Sequence, residues 1–462
     1  MNGPLLALLF AALPAAAEVS PALVAELKPG VVNIEVSVQH GLNTEPTGKR
    51  TGTGFIVDAE RGIIATNRHV VGTSPALIKI VFEDGSTAEA RIWYYDAWHD
   101  FAFIKLEPDA ARPPLKALKL GDSWGLKEQE DVLLVGNNDA QEYSVEFGKT
   151  ANLWLCRDRR HSAAIQTTFD RAGGSSGSPV FNSSGEVVAI HFSGSETTSF
   201  EMRIEYLKDT LAQVLKDGKA TRGEIGVDLD TMLLSDARKH FKLPEDLAKD
   251  VSALRSDLKR VAYVETVSPR TPSEGQLQPG DLILKVEGRW IGDDVYLFDK
   301  LIDERVGRKV SITLLRNGHQ LVVRLPVEDA ETQKVRAFVL FAGGIIHMLT
   351  PEHRLGLNIE GDGVFLPQAE RGSSFSDLGR EGAPTKYLIV IESVNGVPTP
   401  DLDRFIDVVK SLKDGDHIYA NVSDRWRTQS NTSAHPVRLD LKYFPLRVFD
   451  WSDKKLEWVP RS

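Results

Sequence analysis

Cysteine is almost missing from this 462-residue chain: Cys156 stands alone, so no intramolecular disulfide can staple the fold. A chain of this length, enough for about three domains, can instead rely on its own hydrophobic cores. Cys156 sits beside Leu153-Trp154-Leu155 with no partner residue nearby in sequence, which predicts a packed, buried thiol. Paired cysteines and a His-Glu-x-x-His segment are both missing, so the sequence implies no metal and no cofactor. No uninterrupted apolar run after Leu5–Ala17 reaches the roughly 20 residues that a bilayer span needs, which predicts no stable membrane insertion. A Lys/Arg block is missing too, and the net charge of -10 gives no electrostatic footprint for nucleic acid or anionic lipid. With 42% hydrophobic and 26% charged residues, the composition is that of a folded globular protein and not of a disordered chain.

The run Leu5–Ala17 closes on Ala15-Ala16-Ala17 before Glu18, although no Lys or Arg precedes it. Its length and small-residue end fit a signal peptide over residues 1–17, and the expectation that follows is export to a bacterial periplasm. From Val31 to about Ser195 come short apolar or alternating runs: Val31–Val38, Gly54–Val57, Ile78–Phe82, Phe101–Leu106, Val132–Val135 and Val187–Phe192. Strands of this length and spacing predict an all-β sandwich or barrel. Ile204, Leu207, Leu211, Val214 and Leu215 then recur at helical spacing before Asp217-Gly218, predicting a helix that closes a first domain at 18–221. Strand-like runs return in two units of similar layout, 222–330 and 335–446, each with a helical stretch (Val295–Ile302 and Asp401–Leu412). Residues 241–260, rich in Lys, Asp and Glu, read as a surface loop or short helix, and 447–462 as a C-terminal tail.

Three segments carry chemistry: Thr66-Asn67-Arg68-His69-Val70-Val71, His99-Asp100-Phe101-Ala102 and Gly174-Ser175-Ser176-Gly177-Ser178-Pro179. Each alone has a bland reading as a capping histidine or a Gly-Ser turn. Together, in the order His, Asp, Ser within an all-β domain, they match the chain order of chymotrypsin-type proteases. A serine hydroxyl needs a base near neutrality, which His69 can supply, and Asp100 can hold the imidazole in the required tautomer. The glycines flanking Ser176 allow the backbone amides of the Gly174-Ser175-Ser176 loop, those of Gly174 and Ser176 above all, to converge as an oxyanion hole.

Gly52-Thr53-Gly54-Phe55-Ile56-Val57, the TNRHVV and HDFAFIKL segments, and Ile165-Gln166-Thr167 resemble the HtrA (Deg) serine proteases over Gly52–Ser195. The resemblance implies a chymotrypsin-like double β-barrel followed by two α+β PDZ-like domains. Arg68 before the histidine and Gly-Ser-Ser-Gly-Ser-Pro around the nucleophile look more like the fungal nuclear and plant chloroplast branch than the bacterial periplasmic one, whose motifs are TNAHVV and GNSGGP. That branch carries a second, degenerate protease half and further PDZ domains, for which these 462 residues have no room. Ser175 stands where the common pattern has Asn, and Ser178 where it has Gly. Substrate binding is implied for Asp170, Phe192, Ser193 and Gly194. Gapless matching sets Asp170 at the base of a trypsin-type specificity pocket, with an ion pair to Arg171 or a loop-capping role as the alternative.

Gly223-Glu224-Ile225-Gly226-Val227 and Leu277-Gln278-Pro279-Gly280-Asp281 look like the PDZ domains appended to HtrA proteases. In that fold an extended peptide adds as a strand and its C-terminal carboxylate sits in a nest of amides, here Glu224, Ile225, Gly226 and Val227. The alternative is a PDZ fold that only packs against the protease. Ser393-Val394-Asn395-Gly396 resembles a second unit, whose binding loop near Phe341–Ile346 is less standard. Unfolded or damaged proteins are the substrates the resemblance implies, C-terminal peptides the ligands of the first PDZ unit, and a homotrimer the assembly. The competing class is a catalytically silent, chaperone-like or scaffolding protein on the same fold. Trp426, Trp451 and Trp458 read as packing residues, and three Asn-x-Ser/Thr matches carry no assigned role.

Overall fold

The computed structural model describes residues 20–108, 112–138, 141–157, 161–169, 174–195, 198–357, 361–376, 378, 389–424 and 431–461. The leader-like 1–17 stretch, Asp170 and Trp426 lie outside the described residues.

Among the described residues, twelve strands build the first domain. β1 (Val31–Val38), β2 (Gly48–Asp58), β3 (Ile63–Thr66), β4 (Ala76–Val81), β5 (Thr87–Tyr95) and β6 (Ala102–Leu106) close a barrel in the order β1-β2-β3-β6-β5-β4. β7 (Asp131–Asn138), β8 (Gln141–Arg157), β9 (Ser162–Thr167), β10 (Pro179–Phe181), β11 (Val187–Ser195) and β12 (Thr198–Arg203) close a second, ordered β10-β11-β12-β9-β8-β7. Closure removes the exposed edges that such short antiparallel strands would otherwise present. Alternation sets which faces meet: in β5 every second residue is buried, and Phe55, Phe103, Leu133, Phe181 and Ile190 fill the space between the barrels. Cys156 joins this core, as its apolar setting predicted, and burial pushes its thiol well above the usual range. The helix Ile204–Asp217 buries Leu207, Leu211 and Val214 against the same core and ends at Gly218 in the left-handed region (φ 73°), as Asp217-Gly218 foretold.

The next unit places β14 (Val227–Leu233), β15 (Arg260–Val267), β16 (Leu282–Val286), β18 (Lys309–Arg316) and β19 (His319–Pro326) in one sheet, in that order. The short β13 (Gly223–Glu224) pairs with β20 (Glu328–Asp329), and β17 (Arg289–Trp290) pairs with β16. The helix Val295–Asp303 buries Phe298, Leu301 and Ile302 against the sheet. The charged 241–260 stretch contains the short helix Glu245–Ser252, which docks Ala248 and Val251.

The last unit runs β27 (Asn431–Arg438), β26 (His417–Asp424), β24 (Ile389–Val394), β23 (Val364–Ala369), β22 (Gly344–Met348), β21 (Ala337–Phe341), β28 (Arg447–Ser452) and β29 (Glu457–Pro460), with β25 (Val397–Pro398) off β24. Here the structure departs from the sequence expectation: residues 447–460 are no tail but two strands of this sheet. Their alternation is short and half-exposed, so only the pairing of β28 with β21 reveals them. Phe449 stacks on Phe338 at 4.9 Å, and Trp458 meets the Phe338 ring edge-on at 5.0 Å and the Trp451 ring at 5.6 Å. Deleting residues 447–462 should therefore destabilise this unit by several kcal/mol, on the order of 3 from the lost aromatic burial. Limited proteolysis with mass mapping checks it: new cuts should appear in β21 and β22 while the barrels stay resistant.

Candidate active site

β3 runs out at Thr66, and a single helical turn, Arg68–Val71, follows. Val70 and Val71 anchor that turn in the first barrel, which leaves the His69 side chain 47% exposed at the junction of the barrels. Asp100 arrives from the loop between β5 and β6. Its Oδ2 lies 2.5 Å from His69 Nδ1, and its Oδ1 accepts the His69 backbone N–H at 2.9 Å. Asn67 Nδ2 donates to the Asp100 carbonyl at 2.9 Å, so the aspartate is fixed at both main and side chain. With Nδ1–H committed to the carboxylate, Nε2 is the basic nitrogen of the imidazole.

Ser176 stands on a loop cross-linked to the first barrel by Thr53, a residue sequence reading treated only as part of a motif. Thr53 N donates to the Ser176 carbonyl at 2.9 Å, and Thr53 Oγ1 donates to the Gly174 carbonyl at 3.0 Å. The Ser178 amide donates to the Ser175 carbonyl at 3.0 Å. Because N–H and C=O point oppositely across a trans peptide, this turns the Ser176 N–H to the other side of the loop. Gly177 has φ 87°, and a Cβ there would lie 2.1 Å from the Thr53 carbonyl oxygen, so only glycine fits. Below the loop, His191 accepts the Gly177 amide on its carbonyl, and its Nδ1 meets Glu201 Oε2 at 2.9 Å; Ser199 and Thr167 donate to Glu201 Oε1. Phe192 points into the interbarrel core, whereas Ser193 beside it is exposed and Gly194 half-buried.

Two barrels with a paired histidine and aspartate and a serine loop at their junction are the arrangement of a trypsin-like peptidase, and residues 52–190 match the trypsin-like peptidase domain family. Residues 246–327 match the PDZ domain family and 335–415 the PDZ-like domain family. The chain is 30% identical over 408 residues to "Pro-apoptotic serine protease NMA111" of Meyerozyma guilliermondii, covering 85% of this chain and 40% of that protein. It is also 30% identical over 453 residues to the protein of the same name from Phaeosphaeria nodorum, covering 93% of this chain and 43% of the relative. The chain carries a trypsin-like peptidase domain followed by two PDZ-type domains. It spans well under half the length of these curated relatives. A solved structure, "HtrA-type protease AlgW with tripeptide", is 23% identical with a TM-score of 0.50, covering 67% of this chain and 97% of that one; it supports the fold alone.

These relatives correct one expectation. The apolar N-terminal run suggested a bacterial periplasm, but these relatives are fungal pro-apoptotic serine proteases and not bacterial periplasmic proteins. A short apolar leader-like run reports only hydropathy and end chemistry, and neither encodes a bacterial compartment.

The amide nest of the first PDZ unit is not open as expected. The Glu224 carboxylate accepts the Gly226 N–H, and Glu224, Ile225 and Val227 are all buried. The groove between β14 and the helix Val295–Asp303 holds the end of the protease β8–β9 turn. Cys156 Sγ donates to the Leu229 carbonyl at 3.1 Å, and the Leu229 amide faces His161 Nδ1 at 3.2 Å. His161 lies between Asp228 (3.3 Å from Nδ1) and Asp299 (2.9 Å from Nε2). In the last unit the edge of β22 that a peptide would join is paired with β21 from Phe338↔His347 to Phe341↔Gly344.

Two buried imidazoles at this contact sit in opposite charge states. Burial lowers His161, but Asp299 and Asp228 outweigh it and raise the group to about 10; burial lowers His99 to about 3. The sign follows for each. The His161 contribution is complete below its ordinary 6.5 and is lost as pH rises through about 10, and the His99 contribution is complete above 6.5 and lost as pH falls toward 3. NMR titration of the imidazoles should show His161 cationic and His99 neutral at pH 7. In His161→Gln, stability should no longer fall across the alkaline window on account of this group.

Proposed function

We propose that the chain is a serine endopeptidase in which His69, Asp100 and Ser176 are the triad and the Gly174 and Ser176 amides form the oxyanion hole. The observation that carries this reading is the commitment of both Asp100 oxygens to His69 beside a Ser176 loop tied to the same barrel through Thr53. Ser176 Oγ attacks the scissile carbonyl carbon while His69 Nε2 takes its proton, and the developing oxyanion is met by the two amides. The imidazolium, stabilised by Asp100, then protonates the leaving amine, and water repeats the sequence on the acyl-enzyme. Ser193 and Gly194, held in place by the buried Phe192, offer an exposed main-chain edge to an extended substrate. Such docking needs a locally unfolded chain, which makes unfolded or damaged proteins the substrate class.

Ser176→Ala should abolish cleavage of a loosely folded protein without changing the melting temperature, and Asp100→Asn should lower kcat roughly 10⁴-fold through the wrong imidazole tautomer. Cleavage assays with fluorophosphonate labelling check both; wild-type rates in either variant refute the triad.

The first PDZ unit would take an apolar C-terminal peptide only after His161 leaves the groove. Its apparent affinity is thus reduced by the small open fraction. Titration should show weak binding of the free acid, weaker binding of the amide, and tighter binding of the acid to His161→Ala. Equal affinity for acid and amide rules this docking mode out.

A further inference from the structure

The loop that delivers Asp100 is short and built almost wholly on one carboxylate. Asp96 Oδ1 accepts the amides of Trp98 (2.9 Å) and His99 (2.7 Å), and the Phe101 amide returns to the His99 carbonyl at 3.0 Å. The other oxygen, Oδ2, faces out of the barrel domain. It receives Arg222 Nε at 3.1 Å and Nη2 at 2.6 Å, with the Tyr94 hydroxyl at 3.2 Å. Arg222 belongs to the connection into the first PDZ unit, and its third nitrogen, Nη1, reaches Asp303 Oδ2 at 2.5 Å at the end of the helix Val295–Asp303.

One turn earlier on that helix, Asp299 enters the same loop from the other side. Its Oδ2 lies 3.7 Å from His99 Nε2 and accepts the Tyr206 hydroxyl at 2.8 Å, and its Oδ1 is 2.9 Å from His161 Nε2. His99 is the residue immediately before Asp100, and its Nδ1 meets Ser162 Oγ at 3.0 Å. Asp96, His99, His161, Arg222 and Asp299 are all buried, so every charge in the cluster depends on its neighbours for solvation. Among the described barrel residues the group on Asp96 Oδ2 is the uncharged Tyr94 hydroxyl, which cannot replace the guanidinium.

We propose that Arg222 and Asp299, both outside the two barrels, are positioning residues for Asp100, so that the docked first PDZ unit completes the catalytic apparatus of the protease. The inference rests on the triad assignment above. Arg222 fixes the carboxylate that folds the loop, and Asp299 holds the Tyr206 hydroxyl so that the Tyr206 ring packs 4.0 Å from the ring of His99; together they set the Asp100 carboxylate against His69 Nδ1. Neither residue touches substrate, so they act on turnover and not on substrate binding. Undocking the PDZ unit would leave Asp96 buried without its cation and loosen the Asp100 loop with it.

The test uses the full chain with Arg222→Lys, Arg222→Gln and Asp299→Asn, measuring the fluorophosphonate labelling rate of Ser176 together with kcat and KM on a short peptide. For folded protein, the expected result is labelling and kcat about tenfold to a hundredfold lower with KM unchanged, graded wild type > Arg222→Lys > Arg222→Gln. Three variants of unequal severity guard against one that fails to fold, because Arg222→Lys keeps the buried cation. Wild-type labelling in folded Arg222→Gln and Asp299→Asn overturns the proposal. Ser176→Ala run alongside separates the two readings: labelling of that variant sinks the triad itself, whereas its silence beside unimpaired Arg222 and Asp299 variants sinks only the positioning role.

Discussion

A bare carboxylate without solvent is one of the costliest things a fold can contain, and Asp96 is fully buried. Its pairing with Arg222 is the contact on which the arrangement of the first two domains turns. The surrounding donors hold the Asp96 carboxyl far below the usual range despite its burial, so it stays ionised and must stay paired. That requirement ties three pieces of chain together: the Asp96–Asp100 loop, the connection at Arg222, and the helix bearing Asp299 and Asp303. Hydrophobic contact could glue the PDZ unit to the barrels at many angles. A guanidinium bound through two nitrogens to one carboxylate oxygen permits few, which is the specificity a buried ion pair contributes where its net stability is small.

The connection after the first PDZ unit grips the same region from the opposite side. Lys334 donates to the Tyr95 carbonyl at the end of β5 and pairs with Glu331, and Glu331 accepts from the Tyr94 hydroxyl at 3.0 Å. Arg68, next to His69, reaches the Asp96 and Ala97 carbonyls at 3.4 Å and Glu352 of the last unit at 3.5 Å. A cleft of about 210 Å³ beside His69 is thereby lined by all three domains, including Glu45, Arg68, Glu224, Lys334 and Glu352. The charged Arg68 that marks the sequence branch is thus a bridge between domains.

Much of this was legible in sequence where the physics is local. Alternation placed β1 at Val31–Val38 residue for residue, helical spacing found Ile204–Asp217, and the chain order His, Asp, Ser found the pair that the fold brings to 2.5 Å. What stayed hidden depends on single residues far apart in the chain. Asp96 and Arg222 are separated by 126 residues and His161 and Asp299 by 138, and neither pair leaves any periodic trace. A lone Asp in Tyr95-Asp96-Ala97 reads as a turn residue until its partner is seen. The reading of 447–462 as a tail failed for a related reason: a half-buried edge hairpin is specified by what it pairs with. Asp170, the sequence candidate for the specificity pocket, lies outside the described residues.

Both PDZ units present a strand whose outer edge is already satisfied, by different means. An unpaired edge attracts another chain, and peptide capture exploits that demand for hydrogen bonds. In the last unit β21 meets the demand with a full antiparallel ladder continuous with its own turn, and opening it would sacrifice every rung at once. In the first unit the β14 edge is met at the Leu229 carbonyl by the side chain of Cys156, with the His161 ring seated beside the Leu229 amide, and the nest is met by the carboxylate of Glu224. Side-chain occupancy of that kind can be exchanged contact for contact, whereas a ladder cannot. The two units therefore differ: the last brings Glu352 to the cleft, and in the first the helix Val295–Asp303 both borders the groove and carries Asp299 to His99 and His161.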